Sequence, residues 1–107
     1  MLSNVAVALA FGKQESAKNV NMSSNGNVLF SYSTAVMQIA KLGGRKVLIV
    51  NRTKYSCTTS RQTTMCLRAL ERSPKKAYSE VIEVSGVPMG TYELTRYVAT
   101  EKKKKAA

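Results

Sequence analysis

The stretch VLFSYSTAVMQIAKLGGRKVLIVNR, residues 28–52, decides the fold. Val28, Phe30, Tyr32, Thr34 and Val36 alternate onto one face, as the period of two in a strand requires. Met37 and Ile39 fall on the other face, so the apolar side switches near Ala35 and Val36. Such a switch points to a bulge or to the end of the strand. Leu42-Gly43-Gly44-Arg45 reads as a hairpin connection, because glycine supplies the positive φ that tight turns need. Lys46 to Arg52 is the return strand, with Val47 and Ile49 opposite Leu48 and Val50. Residues 28–52 therefore predict an antiparallel hairpin.

Outward from the hairpin, the C-terminal side changes period. Met65, Cys66, Ala69 and Leu70 recur at helical spacing over residues 58–70. Thr58, Thr59 or Ser60 can cap the helix by accepting orphan backbone N–H groups, and Pro74 closes it. Arg61, Arg68 and Arg72 fall on a second stripe, roughly 120° from the apolar one. Lys75 and Lys76 extend that stripe. Tyr78 to Val84 reads as a strand, Ser85 to Gly90 as a turn, and Thr91 to Thr100 as a strand from its Thr, Tyr and Val content. Leu94, Tyr97 and Val98 suit a helix as well. On the N-terminal side, Val5, Val7, Leu9 and Phe11 alternate with alanines, which predicts a strand covered on both faces and ended by Gly12. Residues 13–27 are polar, with a turn at Asn25-Gly26-Asn27. The expected fold is α+β, a small antiparallel sheet with one helix packed on one face, in the order β–β–β–α–β–(β).

With 107 residues the chain fits one domain, expected over residues 1–101, with a lysine-rich tail over 102–107. Its apolar content, 44%, is sufficient for a core and excludes wholesale disorder. The charge of +11 is concentrated in a central block. Residues 41–76 hold ten basic side chains against Glu71 alone, and the tail adds four lysines. A block of one sign attracts polyanions and speeds encounter with them. Two cysteines, Cys57 and Cys66, nine residues apart on one helix, stand roughly 13 Å apart along its axis, too far for a disulfide. Both are expected as reduced thiols, Cys66 in the core. No stretch approaches the ~20 apolar residues of a membrane span. Met1 to Asn4 lack the basic side chain of a secretory signal. A soluble protein in a reducing compartment is expected.

Lys54-Tyr55-Ser56-Cys57-Thr58-Thr59-Ser60-Arg61-Gln62-Thr63-Thr64 is dense in hydroxyls and joins a strand to a helix. N–H groups at a helix start, with nearby hydroxyls and Arg61, suit a phosphate. Capping and turn chemistry also use such hydroxyls. Phe30-Ser31-Tyr32-Ser33-Thr34 followed by Tyr55-Ser56-Cys57-Thr58-Thr59-Ser60-Arg61-Gln62 resembles a family of small bacteriophage proteins. These share an "SY-T" strand, a "YS-TTSRH" element and a following helix, and their function is undefined. The resemblance covers about residues 26–72, and Gln62 replaces the histidine of that pattern. It implies a phage protein acting in the host bacterial cytoplasm.

Histidine and aspartate are absent, which removes the usual general base near neutral pH and leaves the cysteines a poor zinc set. Neither catalysis nor a cofactor is expected. The expected function is nucleic-acid binding, DNA or RNA, through phosphates and largely independent of sequence. The candidate contacts are Arg61, Arg68, Arg72, Lys75 and Lys76 from the helix, and Lys41, Arg45, Lys46, Arg52 and Lys54 from the hairpin. Tyr32 and Tyr55 are candidate stacking rings beside the basic block, although tyrosines more often half-bury on a sheet. The alternative is a phage effector that binds a host protein such as a polymerase or defence complex. Homo-oligomerisation through strand edges at 5–11 or 91–100 is a third reading.

Overall fold

The computed structural model describes residues 3–55, 57–73 and 76–98. In chain order the elements are α1 (Asn4–Gly12), β1 (Ser16–Lys18), β2 (Met22–Asn25), β3 (Val28–Ser31), β4 (Thr34–Leu42), β5 (Arg45–Asn51), α2 (Cys57–Arg72) and β6 (Glu80–Val84). The six strands form one sheet in sequence order. Neighbours from β1 to β5 are antiparallel, whereas β6 runs parallel to β5 after crossing through α2. A parallel return needs such a crossover, because a tight turn can only reverse the chain. The fold is α+β, as expected.

The turn and return strand of the central hairpin fold as the sequence predicts. Leu42 pairs with Arg45, and Gly43 and Gly44 take φ of 58° and 82°. Two consecutive positive values make the turn whose twist matches that of the strands. The switch of apolar face at Ala35 and Val36 is a bulge. Leu29 pairs with Met37 but Phe30 with Ala35, which leaves Val36 as the extra residue. Val36 therefore packs on the same side as Met37, while Ala35 joins the opposite core. The run Val28 to Ala40 is two strands, not one. Tyr32, at a φ of 56°, turns the chain between them.

Two apolar cores sandwich β4 and β5. On one side Val7 and Phe11 of α1, with Cys66 and Leu70 of α2, meet Met37, Leu48 and Val50. On the other, Val47 and Ile49 meet Val87, Leu94 and Val98 from the segment after β6. Burial on both faces explains why Val47-Leu48-Ile49-Val50 is apolar without interruption.

Further expectations change. Residues 5–11 belong to helix α1, not a strand. Seven residues make fewer than two helical turns, and the alternation of valine with alanine fits either period over so short a window. Alanine's helix propensity and a cap decide the outcome, the Ser3 hydroxyl accepting from the Ala6 N–H at 3.1 Å. The helix-bearing face thus carries two helices. They approach closely at Gly12, where a Cβ would stand 2.4 Å from Leu70 Cδ2. The polar stretch 13–27 contains β1 and β2, whose pairing extends the sheet despite weak strand propensity. Asn19 Oδ1 accepts from the N–H groups of Asn21 and Met22 and turns one strand into the other. Finally, residues 91–94 are irregular and 95–98 form a helical turn, not a strand. The Glu93 carboxylate accepts from the Thr95 hydroxyl there, and this bond, with a second from the Thr95 N–H, lowers its pKa. The lysine tail and the end of the expected domain, residues 99–107, lie outside the described residues.

Cys66 is a free thiol in the core, near Met22 Sδ at 4.0 Å. Burial pushes its pKa from 9.0 up to about 11. The unfolded thiol ionises first as pH rises, so this contribution to stability is complete below pH 9.0 and lost as pH passes about 11. Its size is about 2–3 kcal/mol. Urea unfolding from pH 8 to 11 is expected to show a steeper alkaline loss for the native chain than for Cys66→Ala. Equal slopes would refute the assignment. No helix among the described residues is long and apolar enough to cross a membrane.

Candidate nucleic-acid interface

The expected basic contacts separate onto two ends of the sheet. Strand β5 carries Arg45 and Lys46 at its start, and Arg52 and Lys54 follow its end. Seven strand residues span roughly 23 Å. α2 crosses back over this distance, so Arg61 lies near the second group and Arg72 and Lys76 near the first. Arg68 stands between them on the same exposed stripe. Lys75 lies outside the described residues.

At the hairpin end, several cations are already engaged. Arg45 pairs with Glu80 at 2.8 Å, and Lys46 Nζ donates to Gln14 Oε1 at 2.5 Å. Lys76 Nζ donates to the Glu71 carbonyl at 2.9 Å. Lys41 is exposed there. At the opposite end Arg52, Lys54 and Arg61 are exposed and make no ion pair among the described residues.

This second end also gathers most of the buried polar side chains. Ser31, Thr34, Asn51, Gln62 and Thr63 are all buried there. The Ser31 hydroxyl donates to Gln62 Oε1 at 2.9 Å, which joins the β3–β4 turn to α2. Asn51 Nδ2 donates to the Ala35 carbonyl and to Tyr55 Oη, both at 2.9 Å, and Asn51 Oδ1 accepts from the Thr53 N–H. Tyr55 Oη donates in turn to the Val87 carbonyl at 2.5 Å, and the Val87 N–H donates to Thr53 Oγ1. The connection from β5 to α2 is thereby tied to the segment after β6. Turn chemistry accounts for several of these hydroxyls. The capping expected of Thr58 falls on a side chain outside those described, while Thr59 and Ser60 stand inside the first turn of α2.

Two adjoining clefts open on the network. One, about 100 Å³, is lined by Asn51, Arg52, Thr53, Lys54, Ser60 and Thr63. The other, about 230 Å³, is lined by Tyr32 and Met89 together with Ser33, Thr34, Tyr55 and Thr59. Lys54 and Ser60 line the first, and their chain neighbours Tyr55 and Thr59 the second. A larger concavity of about 350 Å³ lies over β1 and β2, but Lys18 is its one cation. It therefore offers less to an anion.

Two tyrosines expected to stack now part company. Tyr32 is 64% exposed. Tyr55 is half-buried with its hydroxyl fully engaged, so it acts as a wall of the cleft and a structural tie. Met65, expected on the buried stripe of α2, is 45% exposed. Gln62 and Thr63 take the inward positions together with Cys66 and Leu70. Met89 and Asn51 were not legible as site residues, because one sits in a turn and the other ends a strand. Comparison with protein-family models, curated proteins and solved structures finds no match to the chain.

Proposed function

We propose that the protein binds nucleic acid through its phosphates, largely independently of sequence and without catalysing a reaction. The observation that carries this reading is the end of the sheet where exposed Arg52 and Lys54 line a cleft walled by Thr53, Ser60 and Thr63, with exposed Arg61 next to Ser60 on α2. Cations free of carboxylate partners keep their full charge for phosphate, and phosphate contacts position a protein without reading bases. Gln62 supports the non-catalytic part. It holds the Ser31 hydroxyl through a neutral amide, which neither gives nor takes a proton near neutral pH. The resemblance to phage proteins supports action in the bacterial cytoplasm.

The test is binding to labelled single-stranded DNA, duplex DNA and RNA over a salt series. Binding near physiological salt is expected, with log K falling linearly in log salt. Binding seen only at low salt would overturn the reading. A second reading, an effector that binds a host protein, draws on Tyr32, Met89 and Tyr92, which are 64%, 71% and 73% exposed. Large exposed apolar side chains near arginine are common at protein interfaces. Capture of one defined host protein by a chain that binds no nucleic acid would favour it.

A further inference from the structure

Tyr32 is out of place by local criteria. It is one of two described non-glycine residues with positive φ, at 56°. The other, Gln14, has a side chain bonded to Asn27 and Lys46. Tyr32 has no such compensation: among the described residues its hydroxyl makes no hydrogen bond, and its ring is 64% exposed. Glycine or asparagine would hold this turn with less strain. The turn itself is anchored, since the Tyr32 N–H donates to the Asn21 carbonyl at 2.7 Å. A rigid backbone therefore presents an aromatic ring to solvent at a local cost.

Tyr32 lines the cleft of about 230 Å³ together with Met89. Both side chains are polarizable and suit a flat π-system. The Ser33 and Thr34 hydroxyls complete the wall beside Tyr32. Thr34 Oγ1 accepts from the Gly90 N–H at 2.9 Å, so its own proton remains to donate. Hydroxyls rotate to donate or accept, and so tolerate any base edge. The adjoining cleft supplies Arg52 and Lys54.

We propose that the cleft lined by Tyr32 and Met89 receives an unpaired nucleobase of a single-stranded nucleic acid, stacked on the Tyr32 ring, while Arg52 and Lys54 hold the neighbouring phosphate. This rests on the phosphate-binding reading above and narrows it to single strands, because a base inside a duplex has no face to offer. Stacking on an aromatic side chain is sequence-tolerant, in keeping with hydroxyl walls.

The experiment compares a labelled single-stranded oligonucleotide with an abasic strand of equal length, which keeps the phosphates and lacks the bases. The native full-length chain is expected to prefer the base-bearing strand by about 5- to 100-fold. Tyr32→Gly is expected to remove that preference, leave the salt slope unchanged and raise the melting temperature. A purely structural tyrosine would give the opposite change in melting temperature. Tyr32→Trp introduces the chain's sole tryptophan. Its fluorescence is expected to be quenched by the base-bearing strand and not by the abasic one. Equal binding of both strands by the native chain, or an undiminished preference in Tyr32→Gly, would overturn base stacking while leaving phosphate binding intact. Binding of neither strand near physiological salt would overturn both.

Discussion

Replacing Arg52, Lys54 and Arg61 together by alanine is expected to weaken nucleic-acid binding about 100-fold at about 0.1 M salt. Each cation that neutralises a phosphate releases roughly 0.7 counterions from a single strand and roughly 0.9 from a duplex, so three removed contacts flatten the salt slope by about 2 to 3. All three side chains are exposed and unpaired among the described residues, so folding should survive. The companion variant, Lys41, Arg45 and Lys46 to alanine, removes the same charge from the opposite end. There Arg45 is held by Glu80 and Lys46 by Gln14, so a smaller loss is expected. Equal losses from both variants would mean that net charge alone governs binding. The site would then not lie at the end of β5.

Asn51→Leu is expected to cost about 3 kcal/mol of stability, the largest single-residue effect anticipated at the site. Asn51 is 2% exposed and serves three groups at once: the Ala35 carbonyl, Tyr55 Oη and the Thr53 N–H. Leucine fills similar space but leaves those groups without their partner, and each buried orphan costs roughly 1–3 kcal/mol. For a domain of this size the melting temperature should fall by about 12–24 °C. The same change removes the ties of Tyr55 and Thr53 to Asn51, so the β5–α2 connection that carries Arg52 and Lys54 is held less firmly. Binding measured well below the lowered melting temperature is therefore expected to weaken as well. A variant as stable as the native chain would show that the network around Asn51 is not what holds this connection. Cold binding equal to native would separate the network from the interface.

Of the candidate interface, the sequence carried the cations and the hydroxyls but not their grouping. Residues 41–76 form one basic block along the chain, yet β5 carries its two halves roughly 23 Å apart. Side-chain partners then distinguish the halves, and Glu80 and Gln14 are too distant in sequence to be assigned to Arg45 and Lys46 beforehand. Likewise Ser31 and Gln62 sit in separate motifs 31 residues apart and meet only because β3 and α2 pack at the same end.

Sequence alone specified the 42–45 turn, strand β5, helix α2 and a break near Val36 that local pattern leaves open between a bulge and a strand end. Each is written in local periodicity or in glycine's conformational freedom, over windows long enough to tell period two from 3.6. It also determined the charge and the lack of histidine and aspartate. Tertiary structure completed helix 4–12, since the alternation over residues 5–11 is too short to declare a period and packing on Leu70 adds to alanine propensity and the Ser3 cap. It decided that Ser23 and Ser24 become strand, because pairing with β3 outweighs their weak propensity. And it decided which tyrosine is half-buried and which is presented, through the hydrogen bonds that Tyr55 Oη accepts from Asn51 and donates to the Val87 carbonyl, which no local pattern encodes.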